Sequence, residues 1–203
     1  MKKIKYIGMA LIAGILMTAC DWHGSQTIIG TGEMESILVE LPPVEGVSVN
    51  GSCKVDIKTG EAQAIEFFAQ SEILDVLRYE VIDNILHIGF KPNYSVSSSK
   101  GITAHIVIPS VSFISITGKG DFELSGEQQE LLDIHITGTG SVDAFDLEVE
   151  KCNIRISGMG DCEVNVIHSL EVFISGVGNV RYLGDPTLQS NVSGVGNVSP
   201  HVP

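Results

Sequence analysis

Five carboxylates in the second half of the chain recur at matched distances from glycine pairs. Asp121 and Asp161 lie three residues after the first glycine of a Gly-x-Gly, and Glu123, Asp143 and Glu163 lie five residues after one. Stacked about 4.8 Å apart, as neighbouring strands are, these side chains would form an acidic column. Its chemistry would be to hold a divalent cation or a basic partner. Calcium asks for six or more oxygens, so loosely spaced carboxylates would bind it only with waters. Like charges stacked in this way destabilise a sheet unless something offsets them, and Arg181, at the same offset one repeat after Glu163, is such an offset. The plainer reading is a solvated face whose Asp and Asn side chains bond backbone amides.

A second set sits before the glycines. His135, Arg155 and Phe173 lie three residues ahead of their glycines and Phe113 five ahead. Together they predict a mixed aromatic and polar strip of the kind that holds sugar rings, against the plain alternative of singly exposed side chains. No nucleophile with a placed base is visible, so no catalytic residue is assigned. Asp121, Asp161, Arg155 and Arg181 are the residue types of a calcium-assisted polysaccharide lyase. They lack the elongated loops that build a cleft, and that activity stays a second alternative. Cys152 and Cys162 align with Leu132, Leu170, Phe122 and Val142, which predicts buried thiols, with a Cys152–Cys162 disulfide as the alternative.

These residues are positioned by five copies of one pattern. Ile114-Ser-Ile-Thr-Gly118-Lys-Gly120-Asp-Phe122 is followed by copies whose first glycines are Gly138, Gly158, Gly176 and Gly194, spaced 20, 20, 18 and 18 residues apart. Apolar residues alternate with polar ones before each glycine pair, as in a half-buried strand. The Gly-x-Gly then implies a bend whose backbone angles exclude a side chain. A fixed period near twenty is the mark of stacked repeats that bury their apolar edges only against each other. The expectation is an all-β, single-domain β-helix or solenoid, right-handed, with 18–20-residue coils. Ile116, Ile136, Ile156, Ile174 and Val192 should form one inward ladder, and Phe122, Val142, Cys162, Val180 and Val198 another. Exposed strands at the last coil, near Val198, imply a cap or association.

Upstream, residues 36–110 are less regular, and the regular repeats occupy 111–199. Val47-Ser-Val-Asn-Gly51-Ser-Cys53-Lys-Val55 reads as a degenerate copy. Strands are expected at Ala64 to Ala69, Tyr79 to Ile82, Ile85 to Phe90 and Thr103 to Ile108, with a hairpin turn at Asp83-Asn84 and a helical turn within Glu72 to Leu77. Asn93 to Lys100 is Ser-rich and reads as a flexible loop or binding tip.

Residues 1–19 have the pattern of an export signal: Lys2, Lys3 and Lys5, then an uncharged apolar run too short to span a membrane. Leu16-Met17-Thr18-Ala19-Cys20 resembles a bacterial lipobox, which makes Cys20 the lipidation site and the cell envelope the location, with the membrane and its face left open. Residues 20–35 then read as a tether and 36–203 as the folded domain. The whole chain carries a formal charge of −13, and loss of residues 1–19 leaves 9 basic and 25 acidic residues, a charge of −16. That balance excludes a nucleic-acid partner, because a phosphate backbone needs a basic face.

The Ile-x-Ile-Ser/Thr-Gly-x-Gly repeats, Tyr182-Leu-Gly184-Asp-Pro186 and the leader together resemble the auto-transporter adhesin, head GIN domain family, common in envelope lipoproteins of Bacteroidetes. The resemblance covers about residues 36–199. It implies a β-helical fold and a cell-envelope role, and it brings no catalytic residues and no cofactor. The expected function is a non-enzymatic, lipid-anchored adhesin or binding module that contacts a protein or glycan. The alternative is a periplasmic structural or accessory protein that binds an envelope partner.

Overall fold

The computed structural model describes residues 25–201; Cys20, the export signal and the start of the tether lie outside them. The described residues form seventeen strands and one four-residue helix. In order they are β1 (Gln26–Gly30), β2 (Met34–Val39), β3 (Gly46–Asn50), β4 (Ser52–Thr59), β5 (Ala64–Gln70), α1 (Ser71–Leu74), β6 (Leu77–Ile82), β7 (Ile85–Phe90), β8 (Tyr94–Ser98) and β9 (Thr103–Ile108). The repeats supply β10 (Phe113–Ile116), β11 (Lys119–Ser125), β12 (Gln129–Ile136), β13 (Thr139–Ile156), β14 (Met159–Ile174), β15 (Val180–Leu183), β16 (Thr187–Val192) and β17 (Val198–Pro200). Among the described residues no helix is long and apolar enough to cross a membrane.

The expected all-β class holds. Strands β2 to β7 and β9 to β17 make one sheet, and β1 and β8 make a second of two strands. One run of parallel pairs links β7, β3, β10, β12, β13, β14 and β16. A second parallel run links β9, β4, β11, β13, β14, β15 and β17. Strands β13 and β14 belong to both runs, so the sheet curls around a shared core.

Register follows the repeat. Val47, Ile114, Ile134, Ile154 and Val172 are successive partners, as are Val49, Ile116, Ile136, Ile156, Ile174 and Val192. On the other run Val55, Phe122, Val142, Cys162, Val180 and Val198 align. All but the last residue of each expected ladder are buried; Val192 and Val198 stand at the open end. The change of period from 20 to 18 is absorbed in two register shifts, between Ala144 and Glu148 and between Val149 and Lys151.

The degenerate copy is spatially the first neighbour of the regular ones, with Cys53 opposite Gly120. The segment after it turns back. Strands β7 and β9 pair beneath β3 and β4, and the antiparallel strands β6 and β5 then cover their outer edges. The β6–β7 hairpin closes through Asp83 and Asn84, both at positive φ (52° and 61°) as a two-residue turn requires.

Three expectations change. The stretch read as a tether already pairs from Gln26, in β1 against β8 and in β2 against β5. For the same reason Asn93 to Lys100 is no free loop: Tyr94 to Ser98 is the strand that receives β1. Alternation was hidden there because serine fills both faces. The reason for the repeated glycines also differs. Gly118, Gly138, Gly158, Gly176 and Gly194 are not in the left-handed region. A Cβ on Gly158 would instead overlap the carbonyl oxygen of Gly138, and each of the others meets a glycine oxygen in the same way. Close backbone approach, not backbone angle, excludes a side chain. Gly158→Ala should therefore cost about 1–3 kcal/mol, the usual range for overpacking, whereas exposed Thr139→Ala should be near neutral; urea unfolding of both variants measures the difference.

Candidate functional site

The parallel registers carry outward side chains into rows as regular as the core. On the first run Ser115, His135, Arg155, Phe173 and Asn191 are successive partners, beside a row of Phe113, Asp133, Asn153, Glu171 and Gln189. The Phe113 ring meets His135 edge-on, with centroids 5.3 Å apart and planes at 81°. Arg155 Nη1 donates to His135 Nε2 at 3.3 Å, since a guanidinium has only donors. Its Cζ also lies 5.7 Å from the centre of the Phe173 ring, at cation–π distance. Asn153 Nδ2 donates to Asp133 at 2.7 Å alongside. The four residues expected to form a strip are thus one continuous contact chain. It spans three strand spacings, about 14 Å, and Phe173 is 38% exposed at its end.

On the second run Glu123, Asp143, Glu163 and Arg181 are successive partners. The column continues below into residues with no repeat signature: Glu123 stands beside Asp56, and Asp56 beside His105. Lys54 Nζ is 2.9 Å from Glu123 and 3.5 Å from Asp56, and His105 Nδ1 is 3.1 Å from Asp56 Oδ2. Glu123 holds the Lys54 ammonium above its ordinary pKa, chiefly by that hydrogen bond. Arg181 pairs with Glu163. Asp143 stands between these pairs and accepts the Phe145 N–H at 3.2 Å. A shallow pocket here is lined by Asp56, His105, Glu123, Asp143 and Asp146 among others.

Asp121 and Asp161 do something different. Asp121 Oδ1 accepts from the Ser141 N–H at 3.0 Å and its hydroxyl at 2.9 Å. Asp161 Oδ1 accepts from the Asn179 N–H at 2.7 Å and its Nδ2 at 3.0 Å. Each carboxylate staples its own turn to the next one. Among the described residues no three His, Cys, Asp or Glu side chains converge as metal ligands would. Arg155 and the two aspartates belong to different rows, and the lyase-like set is not gathered.

The sequence pattern of the family described as "putative auto-transporter adhesin, head GIN domain" matches residues 44–131 and 114–186. The chain belongs to this family. The family is described as one of adhesins and not of enzymes. Among solved structures, a "putative adhesin" from Bacteroides fragilis NCTC 9343 superposes with a TM-score of 0.60 at 18% identity, covering 86% of this chain and 100% of its own. A "putative lipid binding protein" from Parabacteroides distasonis ATCC 8503 gives 0.52 at 16% identity, covering 87% and 100%. At such identities the likeness is one of fold. Among curated proteins none matches.

Lys54, Asp56 and His105 join the acidic face of this head GIN domain without any signal at the 20-residue period. The copy that bears Lys54 and Asp56 precedes its neighbour by 67 residues, because β5 to β9 intervene. The cysteines are where the repeat alignment placed them. Cys53, Cys152 and Cys162 are free and buried. Desolvation raises all three thiols, Cys53 from about 9 to about 12.

Two outcomes follow from this geometry. Asp161→Ala should lower stability by about 1–2 kcal/mol through the two lost hydrogen bonds. Asp161→Asn, which keeps an acceptor, should cost less in the same unfolding titration. As pH rises above about 9, the unfolded chain loses thiol protons that the folded chain keeps, so stability should fall by up to about 1.4 kcal/mol per pH unit for each thiol. For Cys53 that loss runs up to about pH 12. A thiol reagent at pH 8 should leave all three unlabelled until denaturant is added.

Proposed function

We propose that this chain is a non-enzymatic, lipid-anchored cell-envelope binding module that lays a glycan along the strip of Phe113, His135, Arg155 and Phe173. The observation that carries the reading is the unbroken contact chain through those four side chains on the outer face of the sheet. Ring faces stack on the C–H faces of sugars, and the Arg155 guanidinium donates to hydroxyls or to a sugar carboxylate. Strands hold such groups more rigidly than loops do. The strip is also an apolar and cationic surface on a chain whose formal charge is −13, so an anionic glycan meets it more readily than the rest of the molecule.

The body that presents it is read as a right-handed β-helix. Parallel pairing at offsets of 20 and 18 residues supports the coil, and parallel crossover connections are almost always right-handed. The export signal and lipobox support anchoring through Cys20, with more than one acyl chain giving a stable hold.

A glycan array of neutral and acidic oligosaccharides, probed with the purified domain, tests the binding. Phe173→Ala and Arg155→Ala should each lose most of the signal with the melting temperature unchanged, because both side chains are exposed. Binding to no glycan, or binding indifferent to both changes, overturns the reading. Protease treatment of intact cells then separates a surface adhesin, which is removed, from a periplasmic accessory protein, which is protected.

A further inference from the structure

The two ends of the sheet are finished differently. At one end the antiparallel strands β6, β5 and β2 cover the parallel runs, and they carry charges such as Glu35, Arg78 and Glu80. At the other end β16 and β17 are outermost, and among the described residues nothing pairs with their outer edges. Every residue of β16 is exposed. The core ladders run out here unsealed: Leu188 continues Leu132, Cys152 and Leu170 yet is 38% exposed, and Val192 continues Ile174 yet is 39% exposed. Val195, on the last turn, is 68% exposed.

Such an edge offers unpaired N–H and C=O groups to any strand that fits, and proteins blunt an open edge with charges, proline or very short strands. Strand β17 is three residues long and ends in Pro200, but the six-residue β16 has none of these. Residues 186–200 contain no Asp, Glu, Lys or Arg. Among the inward positions of β16 the one polar change is Ser190, where the preceding coil has Val172. The hexapeptide Ser193–Val198 is also identical, residue for residue, to Ser175–Val180, onto which it stacks. The last coil therefore turns outward the same surface that its neighbour uses to receive a coil.

The charge balance selects the occupant. Copies of a chain at −13 repel one another, and the uncharged end is where two of them meet without like charges opposed. A neutral surface is complementary to itself, as a two-fold contact requires. A head-to-tail filament would have to be made on β2 or β6, the outermost strands of the opposite end, which carry Glu35, Arg78 and Glu80. We infer that the C-terminal edge is a self-association surface, on which a second copy of this chain pairs its β16 antiparallel to the first and seals Leu188 and Val192. This does not depend on the glycan strip.

The test is a photo-crosslinking amino acid placed at Asn191 in the full chain, expressed in its envelope and irradiated in intact cells. The expected product is an adduct of twice the chain's mass whose peptides all derive from this protein. Leu188→Lys should abolish it, because the lysine reaches solvent in a single copy but is trapped between two. The melting transition of the purified variant should stay cooperative, which separates loss of pairing from loss of fold. An adduct with a different protein, or none in the unsubstituted chain, overturns the inference.

Discussion

Backbone contact at the first glycine of each repeat is the constraint on which this molecule depends. The Gly118 carbonyl accepts the Thr139 N–H at 2.9 Å, and Gly138, Gly158 and Gly176 accept from Met159, Val177 and Val195 at the same distance. These bonds run from one Gly-x-Gly to the next, so each repeat is registered on the last at that point. A side chain there would force the neighbouring strands apart at that point. Because the turns are locked, the strands on both sides inherit one register, and every row of side chains follows it, inward or outward.

Regular rows bring like residues together whether or not their chemistry agrees. Inward this is favourable, since Ile, Val and Leu stack on their own kind and exclude water. Outward it creates a problem for the carboxylates, which the structure meets locally. Glu123 is matched by Lys54, Glu163 by Arg181 and Asp56 by His105, while Asp121 and Asp161 accept hydrogen bonds from the next turn. These exposed pairs individually add little to stability. Their effect is to let an acidic face coexist with strict stacking. In the aromatic and cationic strip unlike neighbours attract: the Phe113 ring from the adjacent row meets the His135 imidazole, which is followed by the Arg155 guanidinium and the Phe173 ring.

Stacked repeats leave two ends that the repeat itself cannot finish. Here the irregular first half of the chain is spent on one of them. Strands β5 and β6 reverse direction, and a reversed strand ends a parallel run by offering no parallel continuation. At the other end of the described residues the apolar ladder positions of β16 are half exposed and the edge carries no charge.

Much of this was legible in the sequence. Alternation before the glycines marks strands, the spacing of 20 and 18 residues sets which residues align, and both inward ladders, both outward rows and the buried cysteines follow from that spacing alone. Local signals also sufficed for Ile85 to Phe90, Thr103 to Ile108 and the Asp83-Asn84 turn. What periodicity could not carry was decided by tertiary structure. Residues 26–30 and 94–98 are strands because they pair with each other across about seventy positions; residues 26–30 have no apolar rhythm, and the Tyr94-Ser-Val96-Ser alternation is too short and Ser-rich to stand out. Lys54, Asp56 and His105 reach the acidic face because an intervening segment folds beneath the first copy, so nearness there no longer equals one period. Even the glycines were right in place and different in reason. Sequence shows that a side chain is excluded, and only the packed, parallel-paired repeats show that the obstacle is another chain segment's carbonyl oxygen.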